Sequence, residues 1–272
     1  MGRPRGSFER RSDQLLEAAG DYVLEPGGVR RVRFLLEQAA RHRGGADRPG
    51  YSALDVGCGR GNLTAALARS GIVSKGIDLD EDSTATAERT HADLPCAFAT
   101  ADVADAPDSS YDLVVLSEVL EHLADPSEMV RQLARVSRPD GLVVVTVPNG
   151  WCFEEILRRL AVRTAVGRAL RRAMKPALVR SGHVQSENIR DCPHIQFFTR
   201  GWLQSVFSSN GLVVVAQEGS GYFFREAFYL LLRFFLPRDS GAFKVLDAID
   251  DRLADAVPLS MASGWMFALK RP

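Results

Sequence analysis

Short apolar runs and polar, helix-patterned stretches alternate through the middle of the chain. Residues 51–56, 72–78, 96–100, 111–116 and 142–147 are five near-continuously apolar runs. Between them, residues 62–70, 83–91 and 127–136 carry apolar positions at helical spacing. Strands that are apolar along both faces, separated by helices, predict a parallel sheet covered on both sides, hence an α/β fold. Ligands of such sheets bind beyond the C-terminal strand ends, where the strand order reverses.

The flanks break this rhythm. Residues 12–43 read as two helices interrupted at Glu25-Pro26-Gly27-Gly28, the second carrying Val29, Val32, Leu35, Leu36 and Ala39 at helical spacing. Residues 42–50 form a polar, glycine-rich linker. After Pro148, residues 153–180 look helical and basic, with eight basic and two acidic residues. A helix at 199–210 and strands at 212–216 and 264–270 follow, and between the strands residues 222–236 hold seven aromatics in fifteen positions. The organisation expected is N-terminal helices over 1–50, a ligand-binding core over 51–150, a helical cap over 151–198, and the rest of the sheet with an aromatic helix over 199–272.

Composition narrows the class. The 272 residues are 46% hydrophobic and 25% charged, ordinary for a globular domain, which excludes collagen-like, wholly disordered and disulfide-framework chains. The longest apolar stretch, 227–236, has ten residues and contains Arg233. That is short of the roughly 18 needed to span a membrane. The N-terminal segment lacks the apolar core of a secretory signal, and cysteines 58, 96, 152 and 192 form no CxxC pair. A cytoplasmic protein with free thiols is the expectation. Net charge is zero overall, but residues 51–150 carry 7 basic against 16 acidic side chains, a net −9. Such a segment is a poor grip for nucleic acid phosphates, so no DNA partner is expected.

Three strand ends carry candidate chemistry. In Leu54-Asp55-Val56-Gly57-Cys58-Gly59-Arg60-Gly61-Asn62 a strand runs through alternate glycines into a helix. Glycines permit a sharp turn and close backbone approach, and the helix start offers free N–H groups. The spacing is GxGxG, with Asn62 where a dinucleotide fingerprint has its third glycine, which disfavours an NAD-dependent oxidoreductase. Asp78, ending the second apolar run, can accept hydrogen bonds from both hydroxyls of a ribose. Asp80, Glu81 and Asp82 read as caps of the next helix. Asp102, after the third run, can accept from an adenine amino group or simply cap a turn.

In order, LDVGCGRGNLT, GIDLDEDS, ATADV, YDLVVLSEVLEHLADP and RPDGLVVVTVPN resemble the class I S-adenosylmethionine (SAM)-dependent methyltransferases. The likeness is close over 51–150 and looser over 194–215. The stretch Glu118-Val119-Leu120-Glu121-His122-Leu123 resembles the ubiquinone-biosynthesis O-methyltransferase-like group. That resemblance implies a Rossmann-like sheet of seven strands, mostly parallel, with an antiparallel last strand. It implies that Asp55, Gly57, Gly59 and Gly61 surround the methionine part of SAM. Asp78 would hold the ribose, Leu79 pack on adenine, Asp102 and Val103 close over the adenine edge, and Ser117 and Glu118 lie near the sulfonium. The reaction implied is methyl transfer, most readily O-methylation, to a small, hydrophobic or lipid-linked hydroxylated acceptor, leaving S-adenosylhomocysteine (SAH).

His122 is the candidate base, with Glu118 as a further catalytic candidate; a loop-orienting hydrogen bond is the other reading of His122. A third reading is metal. Small-RNA 2′-O-methyltransferases show a similar ExxEH stretch and a later histidine, and Glu118, Glu121, His122 and His194 are the matching ligands here. A divalent cation and an RNA acceptor are not favoured, because the Trp beside Thr199-Arg200 is missing and the segment after Asn149 is long. A non-catalytic SAM-binding partner subunit is the remaining alternative. The basic stretch 153–180 reads as a lid over the site, or as a helix making peripheral membrane contact.

Overall fold

A computed structural model describes residues 28–44, 50–152, 194–221 and 258–272, with 164, 169 and 245 as isolated positions. The expected helix before Glu25, the basic stretch 153–180, Cys192 and the aromatic stretch 222–236 lie outside the described residues, apart from those isolated positions.

Five α-helices and seven strands are described. Helix α1 is Gly28–Arg43, followed by β1 (Ser52–Val56), α2 (Asn62–Arg69), β2 (Val73–Asp78), α3 (Glu81–Thr90), β3 (Cys96–Thr100) and β4 (Tyr111–Ser117). Then come α4 (Pro126–Val136), β5 (Ser137–Pro148), α5 (Arg200–Ser209), β6 (Val213–Gly221) and β7 (Gly264–Lys270). The seven strands form one sheet in the order β3-β2-β1-β4-β5-β7-β6. Only β7 runs antiparallel to its neighbours β5 and β6. The expected seven-stranded, mostly parallel sheet is therefore present, and its order reverses between β1 and β4.

The apolar runs alternate in two-residue period, and each parity fills a different core. Leu113, Val115, Leu142, Val144, Met266 and Ala268 face one side, packed with Val32 and Leu35 of α1 and Leu63 and Leu67 of α2. Val114, Leu116, Val143, Val145, Phe267 and Leu269 face the other, against Leu133 of α4 and Leu203 and Phe207 of α5. Both faces being covered explains why the strands look apolar throughout. Full burial of one such side chain contributes about 1.5–3 kcal/mol.

Local chemistry sets the helix starts. Asp125 caps α4, its carboxylate accepting the Glu128 N–H at 3.0 Å with Pro126 in the first turn. Thr199 caps α5 through the Trp202 N–H. Asp80 precedes α3 as expected, and its carbonyl accepts the Thr84 N–H at 3.1 Å, but its carboxylate makes no backbone cap bond and instead receives the Ser83 hydroxyl at 2.7 Å. Strand β5 begins five residues earlier than the sequence suggests. The Pro139-Asp140-Gly141 turn is an irregularity inside it, with Asp140 at φ 61°.

The register brings the C-terminal ends together. Val56 pairs with Ile77 and Leu116, Asp78 with Thr100, and Ser117 with Thr146. The motif residues thus line one edge of the sheet. Among the described residues no helix is long and apolar enough to cross a membrane, and Cys58, Cys96 and Cys152 are free thiols.

Candidate active site

The turn after β1 is built by backbone geometry. Gly57, Gly59 and Gly61 have φ of 71°, 51° and 78°, the left-handed region that favours glycine. At Gly57 a side chain is also blocked by a neighbour, since a Cβ would sit 2.6 Å from Val119 Cγ2. Around Gly59 a Cβ would meet nothing within 4 Å, so this backbone faces open space. Gly61 caps α2.

Two acids of the motif have different jobs. Asp55 is 2% exposed, and its Oδ2 accepts the Thr64 hydroxyl at 2.7 Å. Burial pushes its carboxyl up to about 7, against the opposing effect of the Thr64 hydrogen bonds. Asp55 therefore faces α2 from inside the turn. Asp78 ties two strand-end loops together: its Oδ2 accepts the Gly59 N–H at 2.8 Å and its Oδ1 the Asp80 N–H at 2.9 Å. Each oxygen keeps a further lone pair for a ligand. Beside it, Leu79 is 72% exposed, an apolar side chain held at the rim.

After β3, Asp102 is exposed and its Oδ1 accepts the Ala104 N–H at 2.9 Å, capping a short turn, while Val103 is buried. That turn is clamped from α4. The Arg135 guanidinium donates to the carbonyls of Val103 at 2.8 Å, Ala104 at 3.2 Å and Ala106 at 2.7 Å.

After β4, Glu118 sits at φ 56°. A non-glycine residue there stores about 1–3 kcal/mol of strain and needs its surroundings to hold it. Its N–H donates to the Thr146 carbonyl at 3.1 Å. Its Oε1 accepts the Thr146 hydroxyl at 2.9 Å, and Ser117 Oγ is 2.7 Å from Thr146 Oγ1. Thr146 has one hydroxyl proton, which goes to Glu118, so Ser117 donates to Thr146. The Glu118 Oε2 lies 3.6 Å from the guanidinium of Arg31, a residue of α1 that is 6% exposed. Sequence reasoning missed both Thr146 and Arg31. A threonine at a strand end and one arginine among several on a helix carry no local signal; only the sheet register and the docking of α1 reveal them.

Further along, Glu121 is 1% exposed and its Oε1 lies 3.8 Å from His122 Nε2. The rings of His122 and His194 meet edge to face, with centroids 4.9 Å apart. One ligand atom from each of Glu121, His122 and His194 lies within 4.8 Å of the other two. Glu118 is not brought into this group; its carboxylate is turned to Thr146 and Arg31.

A family model for a methyltransferase domain matches residues 29–217, from α1 to β6. The chain belongs to the methyltransferase-domain family. Its stretch of likeness to curated relatives is shorter. It is 41% identical over 115 residues to the ubiquinone biosynthesis O-methyltransferase of Neisseria meningitidis, 39% of this chain and 48% of that protein. It is 38% identical over 130 residues to the protein of that name from Caulobacter vibrioides, 44% of this chain and 51% of that one. The chain thus spans about half the length of the curated relatives it matches. Among solved structures, the magnesium protoporphyrin IX methyltransferase of Synechocystis with bound SAH aligns at TM-score 0.54 and 14% identity, covering 98% of this chain and 95% of that one. Geranyl diphosphate C-methyltransferase of Streptomyces coelicolor aligns at TM-score 0.55 and 14% identity, covering 89% and 75%. At such identities the likeness of this methyltransferase domain to those two is one of fold alone.

Proposed function

We propose that the chain transfers a methyl group from SAM to the hydroxyl of a small, hydrophobic or lipid-linked acceptor. The observation that carries the reading is the order of ligand-facing groups along one sheet edge. An open glycine turn follows β1, a two-oxygen acceptor ends β2, and a capped turn follows β3. The names of the curated relatives support a small acceptor over RNA.

The residues present suit SAM. The open backbone at Gly59 lets a ligand approach closely, and Gly57 and Gly61 shape the turn around it. Asp78 accepts from the ribose hydroxyls with the lone pairs left over from Gly59 and Asp80. Leu79 packs on one face of adenine, while Asp102 and Val103 close over its edge. Asp55 braces α2 through Thr64 and adds negative charge beneath the turn once ionised. Glu118, its carboxylate held by Thr146 and 3.6 Å from the Arg31 guanidinium, lies near the sulfonium, and Arg31 beside it reaches the methionine carboxylate.

When bound, SAM supplies a methyl group already activated by its sulfonium, so the chain contributes alignment and proton management. A base is needed only because a hydroxyl nucleophile must lose its proton, and His122 is the group that promotes this loss. Glu121, behind it, stabilises the charge that the imidazole gains.

Replacing His122 by Ala should reduce turnover by at least about 100-fold and leave SAH affinity within about twofold. Single-turnover methylation of phenolic and lipid-linked sugar acceptors, with parallel SAH binding, reads both. Unaltered turnover would remove His122 from the chemistry.

A further inference from the structure

We propose that His91 is a positioning residue for the cofactor: its imidazole, donating to the Arg60 carbonyl, sets the orientation of the Arg60–Gly61 peptide and with it the affinity of the glycine turn for SAM and SAH. The choice of ligand rests on the methyltransferase reading above; the hold of the imidazole on the turn does not.

His91 enters from outside the glycine motif. It follows the last residue of α3, where its N–H donates to the Ala87 carbonyl at 3.0 Å and its carbonyl accepts the Leu94 N–H at 3.0 Å. From that helix end its side chain reaches a turn 31 positions earlier in the chain, with Nε2 3.2 Å from the Arg60 carbonyl oxygen. A carbonyl only accepts, so Nε2 carries the proton. The residue is 7% exposed. Burial lowers its pKa from the ordinary value, against the opposing effect of the bond to Arg60. The ring is therefore neutral at physiological pH, and its one N–H goes to the turn. Burying so polar a ring costs free energy unless it is hydrogen-bonded, and the bond that offsets the cost is this one.

The Arg60–Gly61 peptide is gripped on both sides. Its carbonyl accepts from His91, and its N–H, that of Gly61, donates to the Cys58 carbonyl at 2.9 Å. Two residues earlier, the Gly59 N–H is held by Asp78. Gly59 and Gly61 both sit at left-handed φ, and glycine turns through such regions at little cost, so the peptide between them needs outside bonds to hold one orientation. Gly61 also caps α2, so that orientation sets the direction of the first helical turn, whose N–H groups have no intrahelical acceptors.

Phe98 holds the imidazole in place. Its ring, on β3 and 8% exposed, packs against His91 with centroids 5.9 Å apart. The same ring fills the space beside Gly61, where a Cβ would lie 2.6 Å from Phe98 Cζ and 3.0 Å from the Ala87 Cβ. His91, Phe98 and Ala87 thus close the turn at Gly61, while at Gly59 it stays open to a ligand.

The test joins NMR of the ¹⁵N-labelled protein to SAH calorimetry. The imidazole spectrum of the wild type at neutral pH, with the His91 signals identified by their absence from His91→Gln, should show the Nε2–H tautomer. SAH affinity should fall at least about fivefold in His91→Phe, which keeps a ring and loses the donor. His91→Gln, which keeps a donor, should recover it to within about twofold of wild type, a rescue that space-filling alone would not give. By linkage, saturating SAH should slow solvent exchange of the wild-type Nε2 proton by a similar factor, a reading that needs no variant to fold. The Nδ1–H tautomer, equal SAH affinity of His91→Phe and wild type, or Nε2–H exchange unmoved by SAH would each overturn the positioning role. Absence of SAH binding by the wild type would count against the cofactor reading itself, while the tautomer would still decide the bond to Arg60.

Discussion

Among the described carboxylates, Asp55 departs furthest from its ordinary state. With its carboxyl pushed up to about 7 by burial, the folded protein holds a proton that the unfolded chain releases near pH 4. Stability therefore falls as pH rises between about 4 and 7, by up to about 1.4 kcal/mol per unit, and levels off above. Asp55→Asn should lose that slope, which thermal unfolding of both proteins across this range would show. The same ionisation favours a cation, so the affinity for SAM relative to the uncharged sulfur of SAH should rise through pH 7 in the wild type only. At Gly57, alanine meets both a left-handed φ and Val119. Gly57→Ala should weaken SAH binding at least about tenfold. Asp78→Ala removes a ligand acceptor and the link from β2 to Gly59 together, so its loss should exceed that of Asp78→Asn, as SAH calorimetry would measure. Asp78 and the glycines were legible because spacing after an apolar run marks a strand end. The partners were not: nothing local says that Asp78 bonds Gly59, or that Glu118 takes a strained φ held by Thr146 and Arg31.

At the scale of elements, α4 does more than cover the sheet. Its Leu133 lies in the core and its last turn sends Arg135 to three carbonyls of the turn that follows β3. Arg135→Ala should loosen that turn, costing about 1–3 kcal/mol. It should raise the SAH dissociation constant by roughly three- to tenfold while turnover at saturating cofactor stays close to wild type. Hydrogen exchange at Ala104 and Asp105 would report the same loosening. Elements with a strong period were readable to within a residue or two, as for α4, expected over 127–136 and observed over Pro126–Val136, and for β7. Strand β5 was not, because Pro139, Asp140 and Gly141 carry turn chemistry that the sheet absorbs as an irregularity within a longer strand. Strand β6 likewise runs on past Ala216, through Gln217 and Glu218, because pairing with β7 outweighs their polar character.

For the whole molecule, alternation of apolar runs gave the parallel sheet, and the paired faces confirm it through two separate cores. Its reversal between β1 and β4 puts the glycine turn, Asp78 and Glu118 on one edge of the sheet. The side chains of Glu121, His122 and His194 converge because the chain after residue 194 bonds the Glu121 carbonyl, a contact no local pattern encodes. A site for SAM is tested most directly by calorimetric titration of the protein with SAM, SAH and NAD. One site of roughly micromolar affinity for SAM and SAH, and none for NAD, is expected. Binding of NAD, or no binding of SAM and SAH, would contradict it.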